Sequence, residues 1–80
     1  MFEILGDTYN ATAVAAILLF KDDLNFQVVL YGAQPKDYIM YDADEDGEEF
    51  EDEDACEAEY LEAVARWRLA AGVKEHEVAK

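Results

Sequence analysis

Asp42, Asp44 and Asp46 stand at alternate positions, Gly47 follows them, and Glu53 closes the twelve-residue span DADEDGEEFEDE. That spacing satisfies D-x-[DN]-x-[DN]-G-x5-E, in which alternate oxygens fold around a calcium ion and the glycine permits a sharp turn. The ligands would be the carboxylates of Asp42, Asp44 and Asp46, the backbone carbonyl of Glu48 and a bidentate Glu53. The same residues belong to a longer acidic run, which offers a second chemistry. Thirteen of the residues from 42 to 62 are Asp or Glu, and none is Lys or Arg. Such a run attracts a cationic surface whether or not it holds a metal.

Three features weigh against calcium. Glu49 occupies the place after the seventh loop position, where EF-hand loops carry an apolar residue that pairs with a partner loop. The chain has no second copy of the pattern. The segment DYIMY ahead of the loop reads as a strand, where an EF-hand needs a helix. Calcium on Asp42, Asp44, Asp46, Glu48 and Glu53 therefore stands as the alternative reading, and no other cofactor is expected.

Catalytic chemistry finds little support. The chain has no serine, one cysteine (Cys56) and one histidine (His76). Cys56 falls on an apolar stripe and His76 in a polar tail, so a Cys–His pair is not expected. No Gly-rich phosphate loop and no Cys/His cluster of zinc spacing occur. Acidic neighbours are plentiful, but an exposed acidic run does not raise a carboxyl pKa as a buried pair does. The expectation is a protein that is not an enzyme.

The balance of charge narrows the partners. Twenty acidic residues against six basic ones leave a net charge of −14 on 80 residues. Coulomb repulsion then disfavours nucleic acid and anionic membrane as direct partners, and favours a basic protein surface or a groove that ordinarily holds DNA. The longest apolar stretch, residues 13–20, is too short to span a bilayer. With no signal peptide in view and no disulfide available to a single cysteine, the expected location is the cytoplasm of a bacterial host cell. Apolar residues make up 52% of the chain, so it should fold around one small core and carry its charge on part of the surface.

The elements that must position the acidic run follow from patterning. Residues 2–5 read as a short strand and 7–10 as a turn. Residues 12–20 and 26–31 read as two strands of a hairpin joined by KDDLN, although the alanines keep a helix capped by Asn10 open for the first. Gly32 to Lys36, with Pro35, breaks the chain. DYIMYDA, residues 37–43, reads as a third strand with Tyr38 and Met40 on one side and Ile39 and Tyr41 on the other. The last element is a helix over residues 54–71, capped by Asp54 with Glu57 as its capping-box partner and stopped by Gly72. Cys56, Tyr60, Ala63, Val64, Trp67 and Ala71 recur at threes and fours as its apolar stripe. The whole is expected to be one α+β domain over residues 1–80: a small antiparallel sheet of about three strands with one long C-terminal helix packed on it, and a frayed tail over 73–80.

On that frame the charge makes a surface. Asp42, Asp44, Asp46 and Glu48 alternate as along a strand, while Glu51, Asp52, Glu59 and Glu62 lie off the helix stripe or just before it. Together they would form two rows of carboxylates on a fixed frame. B-DNA carries one phosphate per about 1.7 Å of axis, and such rows can occupy a basic groove in its place. Glu49 joins the surface. Phe50, alone among acids, reads either as an anchor into the core or as an aromatic contact within the patch. Small size, this acidity, a chain starting at Met1 and a compact α+β pattern resemble the inhibitors that bacteriophages make against host defence, the anti-CRISPR proteins and the DNA-mimic anti-restriction proteins. The resemblance implies a target: the DNA-binding or PAM-reading surface of a CRISPR effector complex, or the DNA groove of a restriction enzyme. The charge sits in one half of the chain, so any mimicry is local, and no residue roles carry over. The protein would act as a monomer or a homodimer.

Overall fold

The computed structural model describes residues 1–72; the expected frayed tail, with His76, lies outside the described residues. The arrangement is α+β, as the patterning requires. Strands β1 (Phe2–Ile4) and β2 (Asp7–Tyr9) form a two-stranded antiparallel hairpin. Strands β3 (Val14–Phe20), β4 (Asn25–Leu30) and β5 (Ile39–Tyr41) form an antiparallel meander in that spatial order. One helix, α1 (Glu53–Ala70), follows.

The residues expected as a turn, 7–10, are instead mostly strand β2. The reversal lies earlier, at Leu5 and Gly6, which both adopt positive φ (47° and 92°). Two consecutive left-handed residues match the twist of a tight hairpin. Leucine rarely takes that conformation, so the sequence carries no signal for it. Thr8 and Tyr9 then pair with Glu3 and Phe2.

Residues 14–20 are strand, which closes the helical alternative. Asn10 does cap, but it caps a short 3-10 turn (Ala11–Ala13), its side chain accepting the Thr12 amide at 3.1 Å. Pairing with β4 overrides the helix propensity of the alanines. A register shift between Val14 and Ala16 marks a bulge at the start of β3. The KDDLN link is a 3-10 turn that ends with Leu24 in the left-handed region.

Register sets the two faces of the meander. Ile17 pairs with Val28 and Val28 with Ile39; Phe26 pairs with Leu19 and with Tyr41. These residues face inward, where α1 and the β1–β2 hairpin cover them. Phe26, Val28 and Cys56 are fully enclosed, so Cys56 is the small core residue its stripe implied. Burial pushes its thiol above the ordinary range. Of the helix stripe, Ala63 is also buried, Tyr60, Val64 and Trp67 are half-buried, and Ala71 lies exposed past the helix end. The Trp67 indole N–H donates to the Ala11 carbonyl at 3.1 Å, tying the helix to the connection that enters β3.

Tyr41 holds the hairpin to the sheet. Its hydroxyl donates to the Asp7 carboxylate at 2.7 Å and is hydrogen-bonded to the Tyr9 hydroxyl. Burial raises the pKa of both phenols, and for Tyr41 the bonds to Tyr9 and Asp7 raise it further.

Candidate functional site

The acidic run begins where β5 ends. Its first part does not continue as a strand with alternating carboxylates, as the pattern had suggested; it folds back on itself. The Phe50 amide donates to the Asp42 carbonyl (3.2 Å), Ala43 bridges to Glu49, and the Asp44 amide donates to the Glu48 carbonyl (2.8 Å). The tip is Asp44–Gly47, closed by the Gly47 amide on the Asp44 carbonyl at 3.0 Å. Gly47 takes φ 85°, the conformation that a glycine supplies at least cost. Asp44 fixes the tip with its side chain as well. Its Oδ1 accepts from the amides of Asp46 (2.9 Å) and Glu48 (3.0 Å). This is the local side-chain-to-backbone bonding that aspartate offers in turns.

That closure bears on the twelve-residue calcium pattern. The Glu48 carbonyl and one Asp44 oxygen, both ligands in the pattern, are taken by backbone amides of the loop itself. Glu53, the ligand at the end of the span, is the first residue of α1. Among the described residues, no three or more acidic, histidine or cysteine side chains are grouped to hold a metal ion.

Phe50 is the anchor of the segment. It is 7% exposed, and its ring stacks on Phe26 with centroids 6.3 Å apart. Its place as a surface contact in the patch is therefore corrected: the aromatic ring is worth more to the core than to a partner, because burial removes its whole apolar area from water. Tyr41, nearby on β5, is buried too, whereas Tyr38 is half-buried.

Asp52 has a structural task. It is the N-cap of α1, its Oδ1 accepting the Ala55 amide at 2.8 Å, so the helix starts two residues before the Asp54 cap that the sequence suggested. In the run EDEDA several acids can cap, and the one set by the exit of the Phe50 anchor does so. Glu53 and Asp54 fill the first turn and complement the helix dipole.

The remaining acids assemble around two depressions. The larger, about 390 Å³, lies between the β1–β2 hairpin, the acidic loop and α1. Glu3, Asp44, Glu45, Asp46, Glu59 and Glu62 line it, with Ile4, Leu5 and Ala63 as its apolar part and Arg66 at its side. The smaller, about 290 Å³, is lined by Asp44, Glu48, Glu49, Glu51 and Glu59, among others. Asp44 and Glu59 border both, so the two form one acidic surface. Asp42 is exposed but lines neither depression; its carbonyl accepts the Phe50 amide. Of the residues expected to meet a partner, Asp44, Asp46, Glu48, Glu49, Glu51, Glu59 and Glu62 are brought together.

Glu3, Glu45 and Arg66 are additions that sequence reasoning missed. Glu3 is distant in the chain and reaches the surface only because the first hairpin packs against α1. Glu45 lies in the run but off the pattern. Arg66 bonds Glu62 at 2.9 Å and reaches the Glu3 carbonyl at 3.4 Å, so it ties the helix to the hairpin across the rim of the concavity. The spacing Glu62–Arg66 (i, i+4) was the available signal. A further ion pair, Lys21 to Glu57 at 3.3 Å, links the β3–β4 turn to the start of the helix.

Among the described residues no helix is long and apolar enough to cross a membrane. Compared with known proteins, the chain matches no family model, and neither a curated protein nor a solved structure is similar to it.

Proposed function

We propose that the protein is a non-enzymatic inhibitor whose acidic surface takes the place of DNA on a basic nucleic-acid-binding protein. The DNA-binding or PAM-reading site of a bacterial defence complex, such as a CRISPR effector, is the target in view, met in the cytoplasm of the host cell. One observation carries the reading: carboxylates from the loop, the helix and the first hairpin converge on one surface whose backbone is pinned by Phe50, Asp44 and Asp52. Self-repulsion among so many charges is a standing cost to the fold, and a pre-set anionic surface offsets it only if a cationic partner binds. Preorganisation also spares the partner the entropy of ordering the loop.

Retention of a partner from bacterial lysate at low salt, followed by washes of rising salt, tests the proposal. A nucleic-acid-binding protein should be held and then released. Asp46→Lys, Glu59→Lys and Glu62→Lys together should abolish retention while the circular dichroism spectrum stays that of the folded chain. Asp52 is unsuited to this test because its replacement uncaps the helix. Retention that survives the triple replacement would place the contact elsewhere.

A further inference from the structure

The meander has a second face against which no helix or strand among the described residues packs. Residues alternate across a strand, so the neighbours of inward-facing Ile17, Phe26, Val28 and Tyr41 point away from the helix. None of these outward positions within β3, β4 or β5 carries a charge, in a chain whose residues are 32% charged; the one acid that alternation adds, exposed Asp42 just past the end of β5, lies at the edge of the face. Leu18 is 37% exposed, Phe20 39% and Met40 54%. The Tyr31 amide donates to the Ala13 carbonyl at 3.1 Å, one pair beyond the end of β4, so alternation puts Tyr31, 71% exposed, on the same face. The two polar side chains there are already engaged. Gln27 donates to the Asn25 side chain at 3.3 Å, and Asn25 to the Asp23 carbonyl at 3.4 Å. Taking this face out of water strands little polar hydrogen-bonding capacity.

We propose that the outward face of the β3–β4–β5 sheet is a homodimer interface, closed by the same face of a second copy. Charge selects this occupant. A basic partner is drawn to the acidic surface on the helix side, and the uncharged face offers it nothing. Another copy of an uncharged face matches it without a buried unpaired charge. Sheet-to-sheet packing gives four layers, with the helices outermost. At roughly 10 Å per layer the two helices lie roughly 30 Å apart, about four Debye lengths at physiological salt, so the acidic surfaces barely repel. Area is compatible. At roughly 200 Å² per large side chain, the exposures of Leu18, Phe20, Tyr31 and Met40 leave about 400 Å² of apolar surface per copy. That is half of the roughly 800 Å² of a standard interface before half-buried Val29 and Tyr38, the polar side chains and the backbone add theirs.

Sedimentation equilibrium of the whole chain at about 100 μM, in salt that shortens screening to about 8 Å, tests this. The expected mass is twice 9.1 kDa. Met40→Lys and Leu18→Lys should each halve it, with circular dichroism confirming the fold, and Met40 is exposed enough that its variant folds even if Leu18→Lys does not. Glu62→Lys should leave it at the dimer. A wild-type monomer at this concentration, or a dimer that persists in folded Met40→Lys, overturns the proposal. Neither outcome touches the reading of the acidic surface, which binds its partner on the other side of the molecule.

Discussion

Phe50→Ala is the perturbation that asks most of the structure. The ring is one of few apolar groups within the acidic run, and it is all but enclosed against Phe26. A phenylalanine presents roughly 200 Å², which at about 25 cal/mol per Å² gives about 5 kcal/mol for full burial. The methyl that alanine keeps and a compact denatured state reduce this to about 3 kcal/mol, the low end of measured Phe→Ala losses. An 80-residue domain has about 4–12 kcal/mol in total, so the variant should be near the edge of folding. Phe50→Leu should cost about 1–1.5 kcal/mol and stay folded. Urea unfolding followed by the fluorescence of Trp67, the one tryptophan, measures both, since its indole is bonded to the β3 entry only when the helix is docked. Glu49→Ala and Glu51→Ala, on exposed neighbours, should lie within about 0.5 kcal/mol of the parent. A loss below about 1 kcal/mol for Phe50→Ala would mean that the ring is not the anchor. The acidic loop would then lack the fixed backbone on which its use as a surface depends.

Asp44→Ala should free the loop tip at a cost of about 1 kcal/mol, because two amides lose their acceptor in a partly exposed place; faster hydrogen exchange at Asp46 and Glu48 than at Ala55 reports it, and unchanged exchange would contradict the loop geometry. The raised phenols of Tyr9 and Tyr41 predict an alkaline weakness. The unfolded chain loses these protons near pH 10 while the folded chain keeps them, so stability holds below about pH 10 and falls above it, by at most about 1.4 kcal/mol per pH unit for each tyrosine. A urea midpoint that stays flat through pH 11 would refute this, and Tyr41→Phe should lessen the fall. Calorimetric titration with calcium should show no stoichiometric site, since the loop closes on its own amides; a one-to-one heat with an upward shift in melting would restore the twelve-residue pattern as a metal site.

The α+β arrangement, the three-stranded meander and the long helix were legible from composition and period: an aromatic and β-branched run in FQVVLY, alternating faces in DYIMY, threes and fours from Cys56 to Trp67. Gly47 was legible as a positive-φ turn, and Cys56 as core. The first hairpin was not, because its turn is made by Leu5 in a conformation that leucine seldom takes, while Asp7 and Asn10, residues typical of turns, sit at a strand start and a cap. The calcium pattern and the hairpin make the same demand on Gly47, so spacing alone did not separate them. The Glu48 carbonyl accepts the Asp44 amide in the folded chain, a property of the closed loop that no spacing shows. The patch was legible as charge but not as shape. Glu3 and Arg66 join it through the packing of β1 on α1, a contact between chain ends that no local pattern encodes.

The most direct test of the central claim is competition between the protein and duplex DNA for the captured partner, measured as affinity against salt. If four carboxylates stand in for phosphates at a slope of about −0.9 each, affinity should fall roughly a hundredfold between about 50 and 200 mM salt, and DNA and the protein should exclude each other. A ternary complex of partner, DNA and this protein, or an affinity indifferent to salt, would contradict the account.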